Sequence, residues 1–340
     1  MKKSTAVAVL VVAVIMSPAH AANPGYHVTG RIALGAPDSW DFVHFEPVQN
    51  RIYVAHDTEI AVIDAKTNAV VGKIANIAGA HDVAIVPELD RGFADSGDTG
   101  KVTVFALSTL KPEGEIAADA DSDAMLYDKQ TSKLLVANGD PHSVSIIDVK
   151  AEKRIANVAL PGSPEMMADD SNGKAYINIA SGNEIARLNI ASAKIDAVWK
   201  TPGCVSPHGL AIDRAARRLF VTCRNAKMIV MDADRGIAIA NLRIGGDTDS
   251  AAFDPVRKLA FSSNGDGTLS VISEASPDKY AVLATIPTAM GAKTMAEDPN
   301  TGRVYTATAD IANKPAAAQA AAKPRMAFKP GSLKLLILSP

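Results

Sequence analysis

RIYVAHDTEIAVIDAKTNAVVGKI, residues 51–74, holds two short alternating apolar runs split by a polar turn, and a third run after a second turn. An alternation of period two lines one face of a pleated strand with apolar side chains, so the stretch reads as consecutive antiparallel strands. Its Val62-Ile63-Asp64 returns as Ile146-Ile147-Asp148 and Val230-Met231-Asp232, so the aspartates at 64, 148 and 232 are 84 residues apart. Weaker copies at the midpoints end at Ala106, Asn189 and Ser273, which reduces the spacing to 42, 42, 41, 43 and 41. The preceding strand repeats in seven versions: IYVA at 52–55, GFAD at 92–95, LLVA at 134–137, AYIN at 175–178, LFVT at 219–222, AFSS at 260–263 and VYTA at 304–307. Each unit also has room for an inner strand such as GLAID (209–213) and an outer one such as AIANL (238–242). A period near 40–45 residues with four strands per unit is the mark of a β-propeller blade. The expected fold is therefore all-β, a seven-bladed β-propeller of four-stranded blades.

The ends fit a closed ring. The last unit stops at its third strand, LKLLILS, and the stretch YHVTGRI at 26–32 reads as an unattached fourth strand. The N-terminal strand of the mature chain is expected to close the last blade, which removes the free edges that an open ring would expose.

Residues 1–21, MKKSTAVAVLVVAVIMSPAHA, place two lysines before eleven apolar residues and an Ala19-His20-Ala21 cleavage site. This is the pattern of a secretory signal peptide, and the apolar run is too short to span a bilayer. The mature chain, residues 22–340, is expected to be a periplasmic propeller with no membrane span. The 340 residues carry 35 Lys and Arg against 37 Asp and Glu; without Lys2 and Lys3 the balance is 33 against 37, a net charge of −4. Such a balance gives no reason to expect nucleic acid as a partner. A composition of 47% hydrophobic and 21% charged residues fits a chain that buries a core.

The repeats resemble the YVTN type, in which a Tyr-Val-Thr-Asn-like strand precedes a Val-Ile-Asp-like strand. The matching positions are Tyr53, Val54 and Val62-Ile63-Asp64; Leu135 to Asn138 and Ile146-Ile147-Asp148; and Phe220-Val221-Thr222 and Val230-Met231-Asp232. Over essentially the whole mature chain the sequence is similar to periplasmic seven-bladed propellers of the YncE-like group. Other copies depart from the repeat, most of all Gly92-Phe93-Ala94-Asp95. The resemblance specifies fold far better than activity, because propellers of this architecture include sugar lactonases, streptogramin lyases and pure binding modules.

Ligands of propellers usually sit where the inner strands begin. Counting back from each inner apolar run gives Asp41, Asp82, Asp123, Glu165, His208, Asp249 and Lys293, spaced 41, 41, 42, 43, 41 and 44. Equivalent positions in seven blades lie on one ring, so five carboxylates, an imidazole and an amine should converge on the axis. Trp40 and His81, one residue earlier in their blades, would add a stacking face or a further ligand. The first functional reading is a binding site for a small molecule or a periplasmic protein, without turnover, on a monomer. The alternative is a lactonase- or lyase-like enzyme. There Asp41, Asp123, Glu165 and Asp249 hold a divalent cation, calcium or magnesium, and His208 transfers a proton. A water-filled mouth would also begin its strands with polar residues, and a ring of acids is not by itself a ligand site.

Strand direction brings Cys204, in the loop entering the fifth inner strand, beside Cys223, at the end of the neighbouring second strand. In an oxidising compartment these form a disulfide bracing Pro207-His208. Asp119-x-Asp121-x-Asp123 opens like a calcium loop but has Ala124 and Gln130 where that loop needs Gly and Glu, so it reads as an acidic turn. Gly97 to Lys101 lacks the following helix of a phosphate loop. Among the other histidines, His44 is expected in the core, and His56 and His142 in loops on the ring face. Residues 311–330, IANKPAAAQAAAKPRMAFKP, are a basic low-complexity insertion in the last blade, with Lys314, Lys323, Arg325 and Lys329 and no acid. Either a surface loop or a flap over the mouth fits that composition.

Overall fold

Each inner strand passes through a turn into a second strand antiparallel to it, and the order repeats until seven sheets are formed. The computed structural model describes residues 25–37, 39–312 and 326–340. The leader and most of the insertion, 313–325, lie outside the described residues. The fifth blade shows the regular case: Pro207–Asp213, Arg218–Cys223, Lys227–Asp232 and Ala238–Arg243 pair in sequence order. In the first blade the second and third lengths run on as one strand, Arg51–Asp64. It pairs with Val43–Glu46 through its first half and with Ala69–Ala80 through its second, on either side of Asp57 at φ 57°. The only helical element among the described residues is a 3-10 turn, Pro87–Leu89.

The repeating aspartates have a local cause. Asp64 Oδ1 accepts the backbone N–H groups of Lys66 and Thr67, Asp148 those of Lys150 and Ala151, and Asp232 those of Asp234 and Arg235. Asp213 and Asp254 do the same where their inner strands end. A short carboxylate that caps the amides two and three residues on turns the chain without a second strand to receive them. The third residue of the Val-Ile-Asp repeat is thus a turn former, and the two residues before it supply the core.

Burial follows position in the blade. Second and third strands such as Lys133–Asn138 and Ser143–Asp148 are buried on both faces, whereas the outer strand Lys194–Lys200 alternates exposed and half-buried residues. Blades stack face to face, so the middle strands see a neighbour on each side and the outer strand sees water. The core is accordingly seven apolar clusters, one per interface between adjacent blades. The cluster between the last and first blades joins Tyr305, Leu335 and Ile337 to Ile52, Val54 and Ile63.

Closure is as expected from the ends. His27–Ala33 pairs antiparallel with Lys334–Ser339 and becomes the outer strand of the last blade, from His27 opposite Ser339 to Ala33 opposite Lys334. Tyr26 anchors it: the ring packs edge-on against Phe261, and the hydroxyl donates to the Gly302 carbonyl at 2.8 Å. The Gly92 departure is also explained, since a Cβ there would lie 2.1 Å from the Phe105 ring.

Candidate functional site

The strand-start residues come together in two groups with different chemistry. On the side of the first three blades, Asp41 lies just before Val43–Glu46, held by its N–H to the Ala55 carbonyl, while its own carbonyl accepts from Thr294 Oγ1. His81 Nδ1 donates to Asp41 Oδ2 at 2.8 Å and lies 3.8 Å from Asp123 Oδ1. The His81 ring rests on Gly97, where a Cβ would come within 2.8 Å of the imidazole Cδ2 and Nε2. The hydrogen bond to Asp41, with the negative field of Asp95 and Asp123, holds the imidazolium against the cost of burial and raises its pKa to about 10. Burial, reinforced by Asp41, raises Asp123 to about 7.

Asp82 is buried and bound to the backbone. Its Oδ1 accepts the Val83 N–H and its Oδ2 the Met125 N–H, so the side chain ties the second blade to the third. Burial raises its pKa to about 8. Both oxygens of this ring member are thus committed to backbone amides.

The second group crosses the fourth to seventh blades and is dominated by a residue that the repeat did not indicate. Arg224 donates to His208 Nε2 at 3.0 Å, to Asp247 at 3.0 Å and to Asp249 at 2.7 Å. Lys293 closes on the other oxygen of Asp249. Burial opposes the Lys293 charge, yet Asp249 outweighs it and leaves the amine more basic than usual. His208 Nδ1 donates to the Ser206 carbonyl at 3.0 Å, which leaves Nε2 as the acceptor that Arg224 occupies. Burial and the Arg224 charge lower its pKa. Glu165, 3.3 Å from His208 Nε2, is raised to about 8 by burial together with Asp123 and Asp249.

The mouth is therefore polarised. Asp41, His81 and Asp123 form an acid-rich group, while Asp247 and Asp249 are already matched by Arg224 and Lys293. Behind the ring, a cavity of about 280 Å³ runs between the inner strands of the first four blades, with His44, Met125 and Met166 on its wall. Burial lowers the His44 pKa to about 4, as suits a neutral core imidazole. Beside the ring a cleft of about 510 Å³ is bordered by Trp40, Asp247, Lys293, Met326 and Phe328. Trp40 packs edge-on against Phe328, with centroids 4.8 Å apart. The described ends of the insertion come together through Ile311 opposite Phe328 and reach this cleft. Lys314, Lys323 and Arg325 lie outside the described residues.

Cys204 and Cys223 form the disulfide, with Cα atoms 5.4 Å apart. The bridge fastens the loop carrying Ser206 to the strand end carrying Arg224, whose N–H donates to the carbonyls of Val205 and Ser206. His56 is fully buried, 3.3 Å from Glu59 and 3.2 Å from the Pro37 carbonyl, and His142 contacts Ser163 Oγ at 3.0 Å. Asp119 is engaged by Arg154 and Asn157. Lys101 pairs with Glu115 at the start of its strand.

Arg224 and Asp95 are the residues that reading the repeat overlooked. Asp95 is next to last in the strand Arg91–Ser96 and Arg224 directly follows Arg218–Cys223, so the rule that returned Cys223 to the ring face also returns its neighbour Arg224. Asp95 stands where the repeat departs furthest from its pattern. Its Oδ1 accepts the N–H groups of His81 and Asp82, at 3.1 and 2.6 Å.

No protein-family model and no curated protein sequence matches the chain. Among solved structures it is similar to hydrazine synthase of Kuenenia stuttgartiensis, with a TM-score of 0.70, 13% identity, and coverage of 81% of this chain and 95% of that one. It is also similar to the WD40 repeats of RRP9, with a TM-score of 0.74, 10% identity, and coverage of 91% and 97%. At such identities the likeness is one of fold: a seven-bladed propeller.

Proposed function

We propose that this chain is an exported, YncE-like propeller that binds a ligand or protein partner at the mouth of its central channel and does not turn it over. The observation that carries the reading is the convergence of Asp41, His81, Asp123, Glu165, His208, Asp249 and Lys293 on one mouth, beside an aromatic cleft. A polar ring with an adjoining apolar wall is the usual make-up of a binding pocket. The leader and the Cys204–Cys223 bridge support a periplasmic location, and the YVTN-like repeats support the family. Among the described residues no helix is long and apolar enough to cross a membrane. Binding without turnover is supported by His208, whose acceptor nitrogen is already taken by Arg224, leaving no lone pair to accept a substrate proton.

The test is a thermal-shift panel of divalent cations, polyamines, amino acids, sugars and sugar acids on the purified protein. Parallel panels use Asp123→Asn, Arg224→Gln and, as a control far from the mouth, Lys101→Gln. The expected result is a stabilising class whose shift is lost in a mouth variant and kept in Lys101→Gln. Shifts that survive both mouth variants would place the binding surface elsewhere.

A further inference from the structure

We infer that Asp41, His81 and Asp123 form a binding site for a divalent transition-metal ion, distinct from the all-carboxylate calcium or magnesium set drawn from the ring positions. The inference rests on the reading of the mouth as the ligand site and names the ligand class of its acidic half.

The argument starts from distances. One donor atom from each of the three residues lies within 4.8 Å of the other two. Two donors about 2.1 Å from one ion, at angles between square and tetrahedral, are ~3.0–3.4 Å apart. The observed 2.8 Å from His81 Nδ1 to Asp41 Oδ2 and 3.8 Å from the same nitrogen to Asp123 Oδ1 bracket that range. An ion bound between them takes the place of the proton that His81 Nδ1 gives to Asp41, and that proton is released to solvent. Glu165 and Asp249 do not join this group, and Asp249 is held by Arg224 and Lys293.

A second observation is independent of this spacing. Asp123 Oδ1 is shielded from water and has no hydrogen-bond partner. Immediately beneath the group, Asp95 is wholly buried; its Oδ1 takes the His81 and Asp82 amides, while its Oδ2 also lacks a partner. A buried carboxylate oxygen without a donor costs free energy, and an ion beside it supplies the missing charge.

Donor chemistry selects the metal. Calcium takes six to eight oxygen ligands and magnesium keeps several waters in an octahedron of oxygens, whereas this group offers one imidazole nitrogen and two carboxylates. Imidazole with carboxylate suits zinc, cobalt, manganese or iron(II), and three protein ligands leave positions open for water or a further ligand. The support around the ligands is also formed: Gly97 makes room for the imidazole, and Asp95 fixes the His81 backbone.

The test is calorimetric titration of the chelator-treated protein with Zn²⁺, Co²⁺, Mn²⁺ and Ca²⁺, each alone, followed by Co²⁺ visible absorption and imidazole proton resonances. The expected result is one Zn²⁺ or Co²⁺ per chain, with Ca²⁺ bound at least ~100-fold more weakly. His81→Gln and Asp123→Asn should each cost more than the roughly 10–100-fold typical of an outer-shell partner. Asp249→Asn should leave affinity within about threefold, well inside the effect of an outer-shell partner. On the unaltered protein, Co²⁺ should shift the His81 ring resonances, identified by their absence in His81→Gln, and not those of His208. This readout does not depend on how the variants fold. No binding, preference for Ca²⁺, affinity unchanged in His81→Gln, or affinity lost in Asp249→Asn would overturn the inference. If no transition metal binds while another ligand class still gives a shift that depends on the mouth, the metal inference alone fails. Loss of every mouth-dependent shift removes the reading on which it rests.

Discussion

Removing the Cys204–Cys223 bridge tests how a covalent link outside the repeat supports the mouth. The two cysteines are 19 residues apart, and cross-linking a loop of that length removes chain entropy from the unfolded state worth about 3 kcal/mol. With roughly 300 ordered residues at about 2.1 cal/mol/K each, the unfolding entropy is ~0.6 kcal/mol/K, so the loss corresponds to about 5 °C in Tm. Cys204→Ser with Cys223→Ser should show this fall by scanning calorimetry. Its urea m value should rise, because a chain without the link exposes more surface on unfolding. Both sulfurs pack in the cluster between the fourth and fifth blades, so the double variant also disturbs packing. Reducing the unaltered protein leaves the sulfur atoms in place and isolates the link. A Tm unchanged to within about 1 °C on reduction would refute the chain-entropy account, and a fall beyond ~10 °C would place the energy in native contacts. The mouth supplies a second readout. The bridge fastens Ser206 to the end of the strand that carries Arg224, and the Arg224 guanidinium occupies His208 Nε2. Reduction should therefore move the His208 pKa upward toward its ordinary value while leaving His44 unchanged.

Two further outcomes follow from the structure. Burial, with Asp254 and Asp298 nearby, raises Glu297 to about 8, so the native state holds this proton more tightly than the unfolded chain does. The stabilisation from that group is complete below the ordinary glutamate pKa and is lost as pH rises toward 8. Glu297→Gln should therefore lose less Tm between pH 5 and 8.5 than the unaltered protein, and parallel curves would show that Glu297 does not titrate as described. Deleting residues 1–33 removes the strand paired with Lys334–Ser339 and leaves Leu335 to Leu338 on an open edge. Size-exclusion chromatography should then show a larger assembly than the unaltered protein forms. An unchanged size with undiminished Tm would mean that the N-terminal strand does not close the ring.

The fold was legible in the sequence because a propeller is built from one local rule repeated. Alternating residues made each strand, an aspartate after two apolar residues made the turn, and the spacing near 42 counted the blades. The missing fourth strand at one end and the unattached one at the other implied the closure that His27–Ala33 completes. Ring positions could be counted for the same reason, since equivalent residues in equivalent blades must share a radius. Counting gave positions and left partners open. It listed Asp82 beside Asp123, yet Asp82 is committed to the amides of Val83 and Met125 while Asp123 keeps an oxygen without a partner. It selected His208 for proton transfer without revealing that Arg224 holds the nitrogen such a transfer needs.

The sequence by itself determined the blade number, the strand order, the cysteine pairing and the seven positions that begin the inner strands. Each depends on spacing along the chain, and spacing is a property of the chain alone. Only the tertiary structure decided that this set divides into an Asp41, His81 and Asp123 group and a charge-matched network around Arg224. That division depends on contacts between side chains of different blades, 40 residues apart for Asp41 and His81 and 25 for Arg224 and Asp249, and on which oxygen of a carboxylate meets a donor. No local pattern records such contacts, because burial and the field of distant charges arise only when the ring closes.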